Sequence, residues 1–345
     1  MSAPELEILP IDPLDQALVD DWIGLQHTVA RHDRPGDPLP SPALARLSLL
    51  MSGEYHRTER YVARAAGAVV AALGLETALQ DNRHLVEVKL EVHPDHRRAG
   101  VGTALLAFTE RRTAELGRGT ILGSAHEDVE GGPAWDRSGR DFANARGYTV
   151  VDRDVHGRCD LALVGDDELD KLYAEAWNRA AGYELLQCAE PAVSDDLVAG
   201  IAYLCERMYT DMPIAEALDL RPADVDTARI REYERSRVRL GQRQFISAVR
   251  HIETGVVAGY TFIWVDPGED EHAWQDDTIV LPEHRGRRLG TILKIANHRL
   301  LREHRPRMRY VHTWNAEVNG PMLDINTAVG YRPHGRDLIV QKKLA

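Results

Sequence analysis

Val92-His93-Pro94-Asp95-His96-Arg97-Arg98-Ala99-Gly100-Val101-Gly102-Thr103-Ala104-Leu105-Leu106 reads as the end of a strand, a basic turn and a helix opened by glycine. The chain carries this pattern a second time. Val280-Leu281-Pro282-Glu283-His284-Arg285-Gly286-Arg287-Arg288-Leu289-Gly290-Thr291-Ile292-Leu293-Lys294 keeps Pro282, His284, Arg285, Gly290 and Thr291 at the positions of Pro94, His96, Arg97, Gly102 and Thr103. Gly67 and Gly255, each at an expected hairpin turn, stand at the same offset. Solenoid units repeat every 20–50 residues or so, far short of the distance from Val92 to Val280, so this is a duplicated domain.

The turn has a chemical meaning. Glycine lets a backbone approach a ligand closely, and the first N–H groups of a helix have no partner within it. Together with the helix dipole they form an anion site. Arginines beside that site suit phosphate oxygens, so the turn predicts pyrophosphate binding. It lacks the Gly-x₄-Gly-Lys-Ser/Thr spacing of a P-loop and the Gly-x-Gly-x-x-Gly spacing of a dinucleotide fold.

With 345 residues the chain suits two domains. The expected division is 1–165, a linker and connector helix at 166–182, and 183–345. In the first half, Leu6–Ile8 is a strand and 15–29 and 41–51 are helices. Tyr61–Arg64 and Val69–Leu75 form a hairpin. Along His84–Val92 the residues Val86, Val88, Leu90 and Val92 alternate with Glu87, Lys89 and Glu91, the period of a strand. A helix runs from Gly102 to about Leu116. Then come a strand at Thr120–Ala125, a short helix, and a hairpin of Tyr148–Val155 with Arg158–Val164. Gly165–Asp170 reads as an acidic linker. The second half repeats the order, with a helix expected from Pro222 through Leu240. The predicted class is α+β: two tandem domains, each a central, mostly antiparallel mixed sheet flanked by helices.

Composition narrows the function. The residues are 43% hydrophobic and 28% charged, ordinary for a soluble globular protein. No apolar run spans a bilayer, and Met1–Pro10 lacks the basic-then-apolar pattern of a signal peptide. A cytoplasmic protein without membrane partners is expected. Cys159, Cys188 and Cys205 form neither a metal-ligand spacing nor a disulfide framework, so no metal is expected. A net charge of −12 argues against nucleic acid as a partner. An acidic surface favours a cationic co-substrate, such as an amine.

The quoted residues carry a family resemblance. Arg97-x-x-Gly100-x-Gly102 resembles the Arg/Gln-x-x-Gly-x-Gly/Ala motif of the GNAT acetyltransferases, and Ala145-Arg146-Gly147-Tyr148 and Ala328-Val329-Gly330-Tyr331 resemble that family's closing Gly-Phe/Tyr. The tandem arrangement is similar to mycothiol synthase-like proteins of actinobacteria. The resemblance implies acetyl-CoA as co-substrate. It implies that Val92, His93, Arg97, Arg98, Ala99, Gly100, Val101, Gly102 and Thr103 hold it in one copy. In the other copy Val280, Leu281, Arg285, Gly286, Arg287, Arg288, Leu289, Gly290 and Thr291 would do so, with Asn319 and Asn326. A backbone N–H just after Val92 or Val280 would polarise the acetyl carbonyl. The implied reaction is N-acetylation of a small-molecule amine by a monomer or homodimer, with direct attack assisted by a carboxylate or a water-relayed base. The alternatives are a non-catalytic CoA-binding scaffold, another acyl-CoA, and a protein amine as acceptor.

The copies depart from the family pattern. A tyrosine is common four residues before the closing glycine, as acid toward the leaving thiolate. Here Ala143 and Asn326 stand there. Arg288 replaces Gly100, so the second loop is expected to differ or widen. The candidate bases are Glu87 in the first copy, with Glu91 beside it, and Asp277 in the second, with Asp276. His126 and His312 lie near strands that flank the acetyl site in that family, and Trp135 and Trp314 are candidates for lining an acceptor pocket.

Overall fold

A computed structural model describes residues 6–51, 53–213 and 215–344. The first part of the chain runs β1 (Leu6–Pro10), α1 (Gln16–Asp33), α2 (Pro42–Leu50), β2 (His56–Ala65), β3 (Ala68–Ala78), β4 (Leu85–Val92), α3 (Val101–Glu115), β5 (Thr120–Glu127), α4 (Ser138–Ala145) and β6 (Thr149–Asp160). The second runs α5 (Asp166–Trp177), β7 (Tyr183–Cys188), α6 (Asp195–Asp211), α7 (Thr227–Arg239), β8 (Arg243–His251), β9 (Val257–Val265), β10 (His272–Val280), α8 (Leu289–His304), β11 (Tyr310–Ala316), α9 (Gly320–Ala328) and β12 (Tyr331–Lys343). Each copy is a mixed α/β unit with a mostly antiparallel sheet. Among the described residues no helix is long and apolar enough to cross a membrane.

Two compact units result, and neither is one continuous stretch. The first comprises Met1–Arg153, Ala215–Arg221 and Gly335–Ala345; the second comprises Asp154–Ile214 and Pro222–His334. A division at 165 and 183 cuts the chain into consecutive halves, whereas these units divide β6 and β12 between them. In the first unit β1, β2, β3 and β4 pair antiparallel in sequence, β5 joins β4 parallel, and the end of β12 closes the edge against β5. In the second, β7 to β10 repeat that meander, β11 joins β10 parallel, and the end of β6 pairs with β11.

The parallel pair is where each sheet opens. β4 and β5 stay in register only from Leu85↔Thr120 to Val88↔Gly123, although both strands continue. β10 and β11 are paired only from His272↔Tyr310 to Trp274↔His312. Beyond these vertices the strands splay and leave a cleft toward their C-terminal ends.

Helices cover both faces of each sheet. In the first unit Leu18, Trp22 and Leu25 of α1 pack on Val62 and Ala72, while Val101 and Leu105 of α3 pack on Val70, Leu73 and Val86. In the second, Leu197, Ile201 and Leu204 of α6 meet Ile246 and Ala248, while Leu289, Ile292 and Leu293 of α8 meet Val249 and Ala258. Each such side chain contributes about 1.5–3 kcal/mol by leaving water. The splayed cleft is thereby fixed between two apolar layers.

Three local expectations are corrected. The hairpin expected around Gly157 is one continuous strand, β6: a Cβ on Gly157 would meet Thr313 Cγ2 at 3.4 Å. The glycine marks close packing, not a turn. The acidic linker is the first turn of α5, where Asp166, Asp167 and Glu168 face the positive end of the helix dipole. Finally, α7 starts at Thr227, not Pro222, because the Asp226 side chain accepts from the Arg229 N–H and caps the helix there.

Candidate functional site

Both basic turns end in a left-handed residue followed by a helix without a side-chain cap. Gly100 has φ 88° before α3, and Arg288 has φ 57° before α8. The second loop therefore does not widen. Arg288 adopts the conformation that Gly100 supplies without cost, at roughly 1–2 kcal/mol for a non-glycine residue. In α3 the first helical amide bond comes from Ala104 to the Gly100 carbonyl. In α8 it comes from Thr291 to the Arg288 carbonyl. The amides ahead of them point out of the helix end, the arrangement expected for an anion site.

The arginines behave differently from expectation. Arg97 is turned inward. Its Nε donates to the Val92 carbonyl at 3.1 Å, and one terminal nitrogen donates to both oxygens of Asp33 at 2.8 Å. The other reaches Asp136 at 3.4 Å and Ser138 at 3.2 Å. His32, Asp33 and Asp136 bring ligand atoms within 4.8 Å of one another, but the Arg97 guanidinium already supplies the positive charge there. Arg285 likewise donates through Nε to the Val280 carbonyl at 3.0 Å, and through its terminus to the Asp211 carbonyl at 3.2 Å. Arg97 and Arg285 thus tie the turn to the strand, and Arg98 stays exposed. In the second turn Arg287 donates to the Glu283 carbonyl at 3.1 Å, and Arg288 lies 3.6 Å from Glu175.

The amides expected to polarise a carbonyl are already paired within the sheet. The N–H after Val92 belongs to His93 and bonds Val70 O at 2.9 Å; that after Val280 belongs to Leu281 and bonds Ala258 O at 2.9 Å. Successive amides of a strand point to opposite edges. The groups turned toward the splay are therefore the N–H groups of Val92 and Val280 themselves.

The helix starts are packed differently. A Cβ on Gly102 would stand 3.3 Å from the Phe142 ring of α4, and Arg146 lies over that ring and donates to Thr103 Oγ1 at 2.8 Å. At Gly290 the neighbour is Ile325 Cδ1, at 3.0 Å. Asn319 stands at the N-cap of α9 without a capping bond, and the buried Asn326 donates to Asn315 Oδ1 at 2.6 Å while its own Oδ1 has no partner.

The larger asymmetry lies on the strand before each turn. β4 pairs with β3 without interruption from Glu87↔Glu76 to Val92↔Ala71. β10 does not pair evenly with β9: its register jumps from Gln275↔Ile263 to Thr278↔Thr261. Asp276 and Asp277 together oppose one residue, the signature of a β-bulge, which re-aims side chains beside active sites.

The bulge creates a polar chain. Tyr260 Oη donates to Asp277 Oδ2 at 2.8 Å, and Cys205 Sγ lies 3.0 Å from Tyr260 Oη, so the thiol donates to the phenol oxygen. Burial pushes the Asp277 carboxyl up, and the Tyr260 bond and Arg237 hold it back. Burial and then repulsion from Asp277 push Asp276 up to about 7, with Arg237 pulling the other way. Asp276 keeps 39% of its side-chain surface exposed, so water still tempers the shift. In the first unit Glu87 is exposed on a regular strand, and its carboxyl is pushed up by surrounding protein and by Glu76 opposite.

At the vertex, His312 bonds two other imidazoles. Its Nε2 lies 2.8 Å from His272 Nδ1, and its Nδ1 lies 2.9 Å from His156 Nε2. Trp314 stacks on His156 at 4.4 Å. In the first unit His126 bonds Asp337 at 2.8 Å, and Trp135 is buried against it. The sequence reading named His312, Asp276 and Asp277 but missed Tyr260, Arg237, Trp264 and Trp274. The alternation Tyr260, Phe262, Trp264 is a period-two signal that points all three at one face.

Residues 25–134 match the Acetyltransferase (GNAT) family. Over its whole length the chain is similar to the solved structure of a tandem GNAT protein from the clavulanic acid biosynthesis pathway, with 31% identity, 98% of each chain covered and a TM-score of 0.82. The chain belongs to the GNAT acetyltransferase family. A GCN5-related N-acetyltransferase from Sphaerobacter thermophilus shares the fold at 15% identity, with TM-score 0.68 and coverage of 99% of this chain and 97% of that one. Among curated proteins none matches this sequence. The tandem GNAT fold is that of acyl-CoA-dependent N-acetyltransferases.

Proposed function

We propose that the second unit transfers an acetyl group from acetyl-CoA to the primary amine of a small molecule. The observation that carries this reading is the bulge at Asp276–Asp277, which β4 lacks. An ammonium must lose a proton before its lone pair can attack a thioester. A carboxylate poised near neutral pH, open on one side and beside the vertex of the splay, suits that task. Asp276 is the proton acceptor. Asp277 is its buried partner, held by Tyr260, and keeps the pair from ionising twice at low cost.

Acetyl-CoA supplies the activated acetyl thioester. The amides at Leu289 and Gly290 bind its diphosphate, with Arg287 and Arg288 as flanking cations. The Val280 N–H donates to the thioester oxygen and stabilises the charge that develops on it. Asn319 and Asn326 line the carrier's arm. The first unit offers a comparable helix end at Val101 and Gly102, with Val92 on the adjoining strand. Its regular β4, and the Arg97 side chain locked to Asp33 and Asp136, favour carrier binding or architecture there over proton transfer.

The test is thiol release from acetyl-CoA over a panel of amines. Asp276→Asn is expected to lower kcat about 100-fold or more, and Glu87→Gln to leave it nearly unchanged. The reverse ranking would assign the chemistry to the first unit. Carrier binding without thiol release toward any amine would favour the scaffold reading.

A further inference from the structure

The face of the second unit that carries Asp276 is unusual for its aromatic content. Phe262 and Trp264 of β9, Trp274 of β10 and Trp314 of β11 are all half-buried on it, where core aromatics would be covered. They form a ladder. Trp264 and Trp274 lie 6.4 Å apart with planes 14° from parallel, Trp274 and His312 are 6.4 Å apart at 26°, and His312 and Trp314 are 6.4 Å apart at 24°.

The protein already lays a flat cation on this surface. The Arg237 guanidinium is 4.9 Å from the Phe262 ring centre and 5.1 Å from that of Trp264, and it reaches Asp276 at 3.7 Å. A planar group on aromatic faces, with its charge toward a carboxylate, is therefore a combination this surface demonstrably holds.

Resting on the transferase reading above, we propose that the acceptor is an aryl-alkyl primary amine, its ring lying on the Trp264–Trp274–Trp314 ladder and its nitrogen directed at Asp276. Trp264, Trp274 and Trp314 each keep part of their surface open beside the arginine, while His312 between two of them is buried and backs the ladder. A compact aliphatic amine would leave these faces wet and gain only the charge contact. Aromatic contact adds to area burial for a ring, so ring-bearing amines should separate clearly from their short-chain counterparts.

The experiment uses the full-length protein without acetyl-CoA. 2-Phenylethylamine, ethylamine, glucosamine and 3-phenylpropionate are titrated separately, followed by calorimetry and tryptophan fluorescence. The expected result is that 2-phenylethylamine binds about tenfold or more tighter than ethylamine, and that 3-phenylpropionate, which carries the ring on an anion, binds worst. Trp274→Leu should lose that advantage and Trp274→Phe should retain it, with near-ultraviolet circular dichroism and retained acetyl-CoA binding reporting that each variant is folded. Equal affinity for 2-phenylethylamine and ethylamine, tighter binding of glucosamine, or indifference to Trp274→Leu would overturn the proposal. Acetyl-CoA binding without ring discrimination would remove this acceptor and leave the transferase reading. Ring-selective amine binding without acetyl-CoA binding would do the opposite.

Discussion

The phenol of Tyr260 donates to the carboxylate of Asp277 at 2.8 Å across two neighbouring strands, at the point where the β9–β10 register breaks. This bond fixes one member of an acidic pair and leaves Asp276 facing the opening. Tyr260→Phe would leave a poorly hydrated carboxylate without its donor. It is expected to cost about 1–3 kcal/mol of stability, measured by urea denaturation, and to lower the acidic limb of the activity profile, since the bond holds Asp277 ionised and the Asp277 charge helps push Asp276 up.

Asp276 gives a pH signature whose sign can be worked out. Its folded-state carboxyl is raised to about 7 from the ordinary 3.8. The folded state therefore binds more protons than the unfolded one between those values, and its contribution to stability is complete below pH 3.8 and lost as pH rises through 7. Activity runs the other way, because the base must be ionised: kcat/KM should climb to a plateau above pH 7. Asp276→Asn should flatten the stability trend and remove the climb. A profile unchanged by the substitution would assign the limb to another group.

Lys294 of α8 is fully buried, with its ammonium 5.2 Å from the Tyr331 ring. Burial pushes it down to about 7. The unfolded chain binds the proton more tightly from pH 7 to 10.5, so stability should rise across that window and carry the full penalty below it. The equivalent position of the first unit holds Leu106, which is buried in an apolar cluster. Lys294→Leu is expected to stabilise the protein by about 1–4 kcal/mol at pH 7 and to abolish the alkaline rise, as read from Tm against pH.

Arg97 is a tie between elements in this structure. Arg97→Ala would leave Asp33 and Asp136 facing each other without their cation. The expected effect is a loss of about 1–3 kcal/mol, below the value for a fully buried pair because 19% of the arginine side chain is exposed. Thiol release by the second unit should be nearly unaffected in the fraction that stays folded. A large fall in acetyl-CoA affinity at unchanged Tm would make Arg97 a phosphate ligand instead.

Much of this was legible in the sequence because the turn is written twice. Strand, basic turn and glycine-opened helix follow from local spacing, and they fixed both clefts and the family. What the sequence hid depends on contacts between distant segments. Arg97 and Arg285 read as phosphate ligands because their partners, Asp33, Asp136 and the Asp211 carbonyl, come from elsewhere in the chain. The bulge was hidden because Asp276 and Asp277 look like any polar strand end, and only the register against β9 shows two residues opposing one. The pairing of the last strand with β5 leaves no local signal, since both β6 and β12 are ordinary alternating strands.

The most direct test of the central claim is the structure of the protein crystallised with acetyl-CoA. The expected result is its diphosphate within hydrogen-bond distance of the Leu289 and Gly290 amides, and its thioester oxygen at the Val280 N–H with Asp276 on the open side. A thioester lodged in the first unit's cleft alone, with the β10–β11 splay empty at saturating carrier, would contradict it.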